Sequence, residues 1–262
     1  MLPPMERTPR PGDAYVQSFA RGLGVIRAFS ARRPAMTLSE VADAAGLSRA
    51  GARRILLTLV RLGYVAAEGR QFQLTPRILD LGFAYLSSTP LWSLAEPIME
   101  NLVEQVHESS SASVLDDTDI IYVLRIPTHK IMAISLGVGS RLPAYCTSMG
   151  RVLLAGLEDG AVEAILKRSD LKAHTSRTVT RRAQLLERVQ EVRARGWSLV
   201  NQELEEGLVS ISAPIRDRTG RTVAALNVSG QANRTPAAQV LKLFLPPLRA
   251  AANQISALLP RR

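Results

Sequence analysis

The chain has 262 residues, 46% hydrophobic and 21% charged, shares that suit a folded globular protein and exclude a disordered one. Its longest stretch without a charge, residues 81–95, is too short for a membrane-spanning helix, which needs ~20 apolar residues. Net charge is +10, and residues 1–90 hold twelve arginines against six acids, a positive field that points to a polyanion partner, nucleic acid first. The N-terminus has no apolar core of a signal peptide, and the one cysteine, Cys146, cannot form an internal disulfide. The expected location is therefore the cytoplasm, and secreted, membrane and disulfide-scaffold classes are excluded.

At roughly 100–200 residues per domain, two domains are expected. Three helical segments come first. Phe19, Leu23, Ile26 and Ser30 share one face of the first, widened by Val25 and Phe29, and the helix ends near Arg32-Arg33-Pro34. Thr37-Leu38-Ser39-Glu40 opens the second with a capping box, and Gly46 closes it. Ser48 caps the third, whose buried side is Ala52, Ile55, Leu56, Leu59 and Leu62. Arg49, Ala50, Arg53 and Arg54 face outward within its first two turns. This is a helix-turn-helix pattern, because a helix fits the major groove and arginines near its N-terminus reach base edges or phosphates. Two short strands around a Glu68-Gly69 turn, with Arg70 at the tip, form the wing. The residues expected to meet double-stranded DNA are Thr37, Ser48, Arg49, Ala50, Arg53, Arg54 and Arg70. The plain alternative is a small helical domain whose arginines are only solvated.

Thr75-Pro76 is read as capping a further helix to about Ser87, apolar on several sides as at a dimer junction, before Ser88-Thr89-Pro90 breaks it. The domains are drawn as a winged helix over residues 14–77, a linker helix over 78–89 and a larger domain over 90–262. In that domain a helix to about His107 carries Leu94, Ile98, Leu102 and Val106 on one stripe. Strands follow at residues 111–115, 120–126 and 132–136, then helices at 148–157, 160–167 and 181–195. Further strands run over 197–201, 209–215 and 222–229, the last pair joined by a turn at Arg216-Asp217-Arg218-Thr219-Gly220. A final helical segment, 236–259, bends or breaks at Pro246-Pro247. The fold class is α+β, with the sheet covered on one face.

His107, His129 and His174 are isolated, and no metal-ligand spacing, phosphate loop or nucleophile elbow occurs, so no metal, cofactor or catalytic residue is assigned and no enzyme is expected. Glu203, Glu205 and Glu206 read as a solvated turn and Cys146 as a small buried hydrophobe, while Arg125, between Leu124 and Ile126, reads as an exposed sheet residue with a second anion partner as the alternative.

Three separated blocks resemble the IclR family of bacterial transcription factors. They are the first helix from Tyr15-Val16-Gln17-Ser18-Phe19, the segment Leu142-Pro143-Ala144-Tyr145-Cys146-Thr147-Ser148-Met149-Gly150-Arg151, and Glu206-Gly207-Leu208-Val209-Ser210 with its continuation to Gly230. Within the family, Arg125-Ile126-Pro127-Thr128 and the Tyr145–Arg151 motif look like the branch controlling protocatechuate and 4-hydroxybenzoate catabolism. The resemblance implies a GAF-like effector domain, a dimer or dimer of dimers, and a small aromatic or dicarboxylic acid as effector of a catabolic operon. It maps the pocket onto Tyr145, Cys146, Thr147, Ser148, Met149, Gly150, Asn201, Glu203, Ser210, Asn227 and Ser229. Free N–H groups at a helix N-terminus near Ser148 suit a carboxylate. Many relatives carry lysine after the glycine, where this chain has Arg151. Another carboxylate such as glyoxylate or pyruvate, a non-specific DNA-binding protein and a small-acid enzyme are the alternatives.

Overall fold

The computed structural model describes residues 15–87, 91–128 and 136–259, and the chain divides into two compact units, residues 1–88 and 89–262. The first unit runs α1 (Gln17–Ala28), β1 (Ala35–Thr37), α2 (Leu38–Ala44), α3 (Arg49–Arg61), β2 (Val65–Glu68), β3 (Gln71–Leu74), a 3-10 turn (Pro76–Ile78) and α4 (Leu79–Ser87).

The caps of α2 and α3 stand where the sequence puts them. Thr37 N–H donates to the Glu40 carboxylate at 2.7 Å, and Glu40 N–H donates back to Thr37 Oγ1 at 3.4 Å. The bonds that Thr37 N–H and the Thr37 hydroxyl donate to the carboxylate, with the Arg33 charge, hold the Glu40 carboxyl below its ordinary range. Gly46 has φ +63, a left-handed turn that favours glycine, and Ser48 Oγ accepts from Gly51 N–H at 3.2 Å. Val25, Phe29, Met36, Val41, Leu56, Leu59 and Val65 form the core beneath. The strand order is β1-β3-β2, all antiparallel.

Four details differ from the sequence reading. Helix α1 stops at Ala28, before Arg32–Pro34, and buries Val25, as its C-cap Phe29 is buried, while Phe19 and Leu23 are exposed, because α2 and α3 meet only one side of its apolar surface. Leu62 is exposed, since it follows the last residue of α3 as its C-cap. The wing turn is Gly69-Arg70, one residue later than expected, because Glu68 pairs with Gln71. The fourth difference is at Thr75, which makes no side-chain cap; its hydroxyl donates to the Gly63 carbonyl, and the chain enters α4 through the 3-10 turn.

The second unit runs α5 (Leu91–Val106), β4 (Ser109–Asp116), β5 (Asp119–Ile126), β6 (Arg141–Pro143), α6 (Ser148–Ala155), α7 (Asp159–Arg168), α8 (Arg182–Arg195), β7 (Ser198–Asn201), β8 (Leu208–Arg216), β9 (Thr222–Gln231), α9 (Ala237–Leu243) and α10 (Leu245–Leu258). The sheet is antiparallel with order β6-β5-β4-β9-β8-β7. The strand expected at 132–136 and His129 lie outside the described residues, apart from Leu136.

Register sorts the strand residues into two faces. Ser210 pairs with Ser229, Ser212 with Asn227, Ser109 with Ser229 and Ser111 with Asn227, so one face carries a row of small polar side chains. Helix α6 packs on that face, backed by α8. The alternate residues, including Ala112, Ile211, Ala213, Ile215, Leu226 and Val228, are buried on the other face, where α5 and α10 pack. The sheet is therefore covered on both faces, not one, as the unbroken burial of Val209–Ala213 records. Helix α5 buries Leu91, Trp92, Ala95, Met99, Leu102 and Val106, leaving Leu94 exposed, and the break before α10 falls at Phe244 because Pro246 and Pro247 start the new helix.

Candidate functional site

Two regions bring functional side chains together, one in each unit. In the first, Ser48, Arg49, Ala50, Arg53 and Arg54 are all exposed at the start of α3, and Arg70 is exposed on the wing. Thr37 is half-buried and its hydroxyl is committed to the cap, donating to Glu40 Oε2 at 2.8 Å. Ser48 spends its oxygen on Gly51 N–H in the same way. The arginines have no side-chain hydrogen bond or ion pair among the described residues, so their guanidinium groups are open to an outside anion.

In the second unit, a cavity of about 540 Å³, counting its mouth, lies between the N-terminus of α6 and the polar face of the sheet. Its lining includes Cys146, Thr147, Ser148, Met149, Glu203, Ser210, Asn227 and Ser229. Apolar walls come from Tyr122, Leu136, Leu142, Met149, Val200, Leu204 and Leu208. Thr147 caps α6, its Oγ1 accepting from Gly150 N–H at 3.2 Å and donating to Pro143 O at 3.0 Å. Ser148 Oγ lies 2.8 Å from Ser210 Oγ and 2.6 Å from Ser212 Oγ. Asn227 Nδ2 donates to Ser210 Oγ at 3.1 Å and to Ser229 Oγ at 2.8 Å, while its Oδ1 accepts from Ser111 N–H at 2.8 Å. Asn227 thus both lines the cavity and staples β4 to β9.

The other motif residues surround the cavity without lining it. Tyr145 is buried, donates its hydroxyl to Lys172 O at 2.6 Å and stacks on His174. Gly150 presses against Ala144, so that a Cβ there would stand 2.1 Å from the Ala144 carbonyl oxygen. Asn201 faces a separate cleft.

Arg125 and Glu203 behave differently from the sequence reading, and Arg151 takes an orientation that the sequence left open. Arg125 is half-buried and lines the cavity, donating to Ser111 Oγ at 3.2 Å, with no ion-pair partner among the described residues. A bulge between Ala112 and Ser113 shifts the β4–β5 register and sets Arg125 opposite Ser111, on the polar face. Arg151 turns away from the cavity, its guanidinium bidentate on Glu203 at 2.7 and 2.6 Å and its Nε donating to Tyr145 O at 3.0 Å. Glu203 is buried rather than part of a solvated turn, because it is neutralised by Arg151 and accepts from Val179 N–H at 3.1 Å.

Burial pushes the Cys146 thiol up to about 12 against the pull of the Arg151 charge, and the Tyr122 phenol also up to about 12. A thiol held neutral is a poor nucleophile, so a disulfide reagent at pH 8 is expected to leave Cys146 unmodified until denaturant is added; rapid labelling of the native protein would refute this. The folded state binds both protons more tightly than the unfolded chain. Their stabilising contributions are therefore complete below the unfolded values near 9 and 10 and are lost as pH rises toward 12. Melts from pH 8 to 11 should show a falling midpoint that Tyr122→Phe makes shallower.

Among the described residues no group of three His, Cys, Asp or Glu side chains is placed to hold a metal, and no helix is long and apolar enough to cross a membrane. A winged helix joined in one chain to an α+β unit with a polar, partly enclosed cavity is the build of bacterial transcriptional regulators that sense small molecules. Comparison with known proteins agrees. Residues 18–69 match the IclR helix-turn-helix domain, and residues 83–257 match the bacterial transcriptional regulator IclR C-terminal domain. The chain belongs to the IclR family of transcriptional regulators and is not an enzyme. It is 43% identical to the Pca regulon regulatory protein of Pseudomonas putida, over 97% of this chain and 90% of that one. A candidate transcriptional regulator from Rhodococcus sp. RHA1 superposes with a TM-score of 0.83 at 52% identity, covering 93% of this chain and 98% of that one. An IclR homologue complexed with 4-hydroxybenzoate, from Microbacterium hydrocarbonoxydans, gives 0.79 at 25% identity, covering 92% and 98%.

Proposed function

We propose that this chain controls a catabolic operon for aromatic acids and takes a small aromatic carboxylate as its effector. The observation that carries the reading is Arg125, the cation lining the cavity, which has no ion-pair partner among the described residues, while the acid of the lining, Glu203, is already held by Arg151; apolar side chains, hydroxyls, the Asn227 amide and the Cys146 thiol make up the rest. A benzoate-type ligand complements each part. Its carboxylate meets Arg125 or the Ser148 and Met149 N–H groups at the start of α6, its ring meets the apolar wall, and a ring hydroxyl meets Ser210 or Ser229. Similarity to a Pca regulon regulator and to a homologue holding 4-hydroxybenzoate supports the same chemistry.

Residues 14–77 serve as the DNA reader, 78–89 as linker and 90–262 as sensor, in a cytoplasmic homodimer or pair of dimers. Exposed Leu79, Leu81, Phe83 and Tyr85 on α4, which buries nothing in the single chain, support the assembly. The Arg49, Arg53 and Arg54 face of α3 enters the major groove and Arg70 grips the flanking backbone. Effector and operator each alter the other's affinity, as coupling requires.

Titration with 4-hydroxybenzoate, protocatechuate, pyruvate and glyoxylate tests the effector class: saturable binding of an aromatic acid is expected, and binding of pyruvate or glyoxylate alone would reject it. Arg125→Gln should weaken the aromatic acid at least tenfold, about 1.4 kcal/mol, with the melting midpoint unchanged. Equal affinity would move the carboxylate elsewhere. Arg53→Ala should weaken operator binding by about 1–3 kcal/mol without unfolding, and a gel-shift titration matching wild type would remove Arg53 from the contact set.

A further inference from the structure

Beyond the cavity already described, the second unit has a cleft on the far side of the Arg151–Glu203 pair. It opens to solvent and spans about 840 Å³ of empty space, open solvent included. Arg177, Arg188 and Arg195 stand around it, and Trp197, Val192 and Leu241 give it an apolar surface. Arg151 and Glu203 form part of its wall, and Glu203 also lines the first cavity.

The charges do not balance. Arg151 is paired with Glu203 and Arg188 with Glu191 at 3.0 Å, but Arg177 and Arg195 have no carboxylate within ion-pair distance among the described residues. The cleft is left two charges positive. Its crowding is felt by Arg195, whose protonated form is disfavoured by burial and by the charges of Arg188 and Arg151, although Glu191 opposes them.

Surface arginines are commonplace in this chain, yet Arg195 is fixed. Its guanidinium lies 4.1 Å over the Trp197 ring and its Nε donates to Trp197 O at 2.9 Å. With Nε used, both terminal NH₂ groups remain to meet a ligand, without the entropy loss that a mobile side chain suffers on binding.

We propose that this cleft is a second ligand site, taking a small organic dianion of the dicarboxylate type. One carboxylate is held by Arg195 and the other by Arg177, and the carbon body rests on Trp197, Val192 and Leu241. A dianion neutralises the excess charge, and the apolar surface distinguishes an organic acid from an inorganic ion. The assignment does not depend on what fills the first cavity.

Adipate and hexanoate, equal in length and differing by one carboxylate, test it on the full chain at low salt, by calorimetric titration and by Trp197 emission in a Trp92→Phe background. Adipate is expected to bind saturably and change the emission, with hexanoate at least tenfold weaker. Arg177→Gln and Arg195→Gln should each weaken adipate at least fivefold, and Arg125→Gln should leave it unchanged. Arg177 donates no side-chain hydrogen bond among the described residues, so its variant reports on binding rather than folding. No saturable binding, equal affinity for hexanoate, or wild-type affinity in both the Arg177 and Arg195 variants would overturn the proposal. Loss with Arg125→Gln alone would also overturn it and assign the dicarboxylate to the first cavity.

Discussion

Glu203→Ala is expected to destabilise the second unit by about 3–5 kcal/mol, because it leaves a buried guanidinium with no counter-charge. The side chains of Arg151 and Glu203 are only 4% and 10% exposed, and both hydrogen bonds of the pair are short. Water cannot replace the lost carboxylate without opening the packing between α6 and the loop after β7. The same carboxylate also holds Val179 N–H, so the segment before α8 loses an anchor too. Against a total stability of ~5–15 kcal/mol, a loss of that size unfolds a large share of the molecules at physiological temperature. The double variant Arg151→Met, Glu203→Leu removes both charges and should recover most of the loss. Urea melts of the three proteins decide it: a single variant within 1 kcal/mol of wild type would show that the pair is solvated in solution.

Gly150→Ala is expected to cost about 3 kcal/mol or more, at or beyond the upper end of ordinary overpacking. The added Cβ would stand 2.1 Å from the Ala144 carbonyl oxygen, 2.4 Å from its Cα and 2.6 Å from its carbonyl carbon. These are backbone atoms and cannot rotate aside. Residues 143–147 are also tied to α6 through the Thr147 hydroxyl, so relief of the clash must move the helix N-terminus and with it Ser148 and Met149 on the cavity wall. Gly160→Ala on α7 serves as control, since nothing lies within 4 Å of its Cβ position and alanine favours helix. Thermal melts should separate the two by about 6–12 °C; similar midpoints would mean that the loop yields easily.

What the sequence disclosed and what it hid divide along physical lines. Capping is local chemistry, so Thr37 with Glu40, Gly46 and Ser48 were legible from spacing alone. Which side of a helix is buried is not local. In α5 the stripe through Leu94 and Ile98 fits the helical period as well as the one through Leu91, Ala95 and Met99, and it is packing on α10 and the sheet that selects the latter. Three-residue strands such as β1 and β6 are too short to show alternation, and exist because a neighbouring strand offers them an edge.

The same division holds for the cavity. The motif from Cys146 to Met149 was visible because it is contiguous, and Ser210, Asn227 and Ser229 came with the family resemblance. Arg125 reads as exposed in the sequence, with an anion-partner role as the alternative, because the bulge that sets its side depends on the partner strand. A signal was present in Ser109-Ser110-Ser111-Ala112-Ser113, a run of small residues without a charge that suits a strand packed on both faces. The pairing of Arg151 with Glu203 spans 52 residues and has no local trace.

The hydroxyls of Ser148, Ser210 and Ser212 meet one another in pairs where either oxygen can supply the proton. A chain of such rotors has no built-in direction and can reverse its polarity at the arrival of a guest, offering protons to an oxygen acceptor or receiving one from a phenol. Arg125 has no such freedom. For the effector class proposed above, the pocket sets a fixed pole beside a reversible relay, an arrangement in which a change of ring substituent would be absorbed by turning hydroxyls while a change of charge would not. Divergence in what such a sensor recognises would then come cheaply along the serine row and rarely at the arginine.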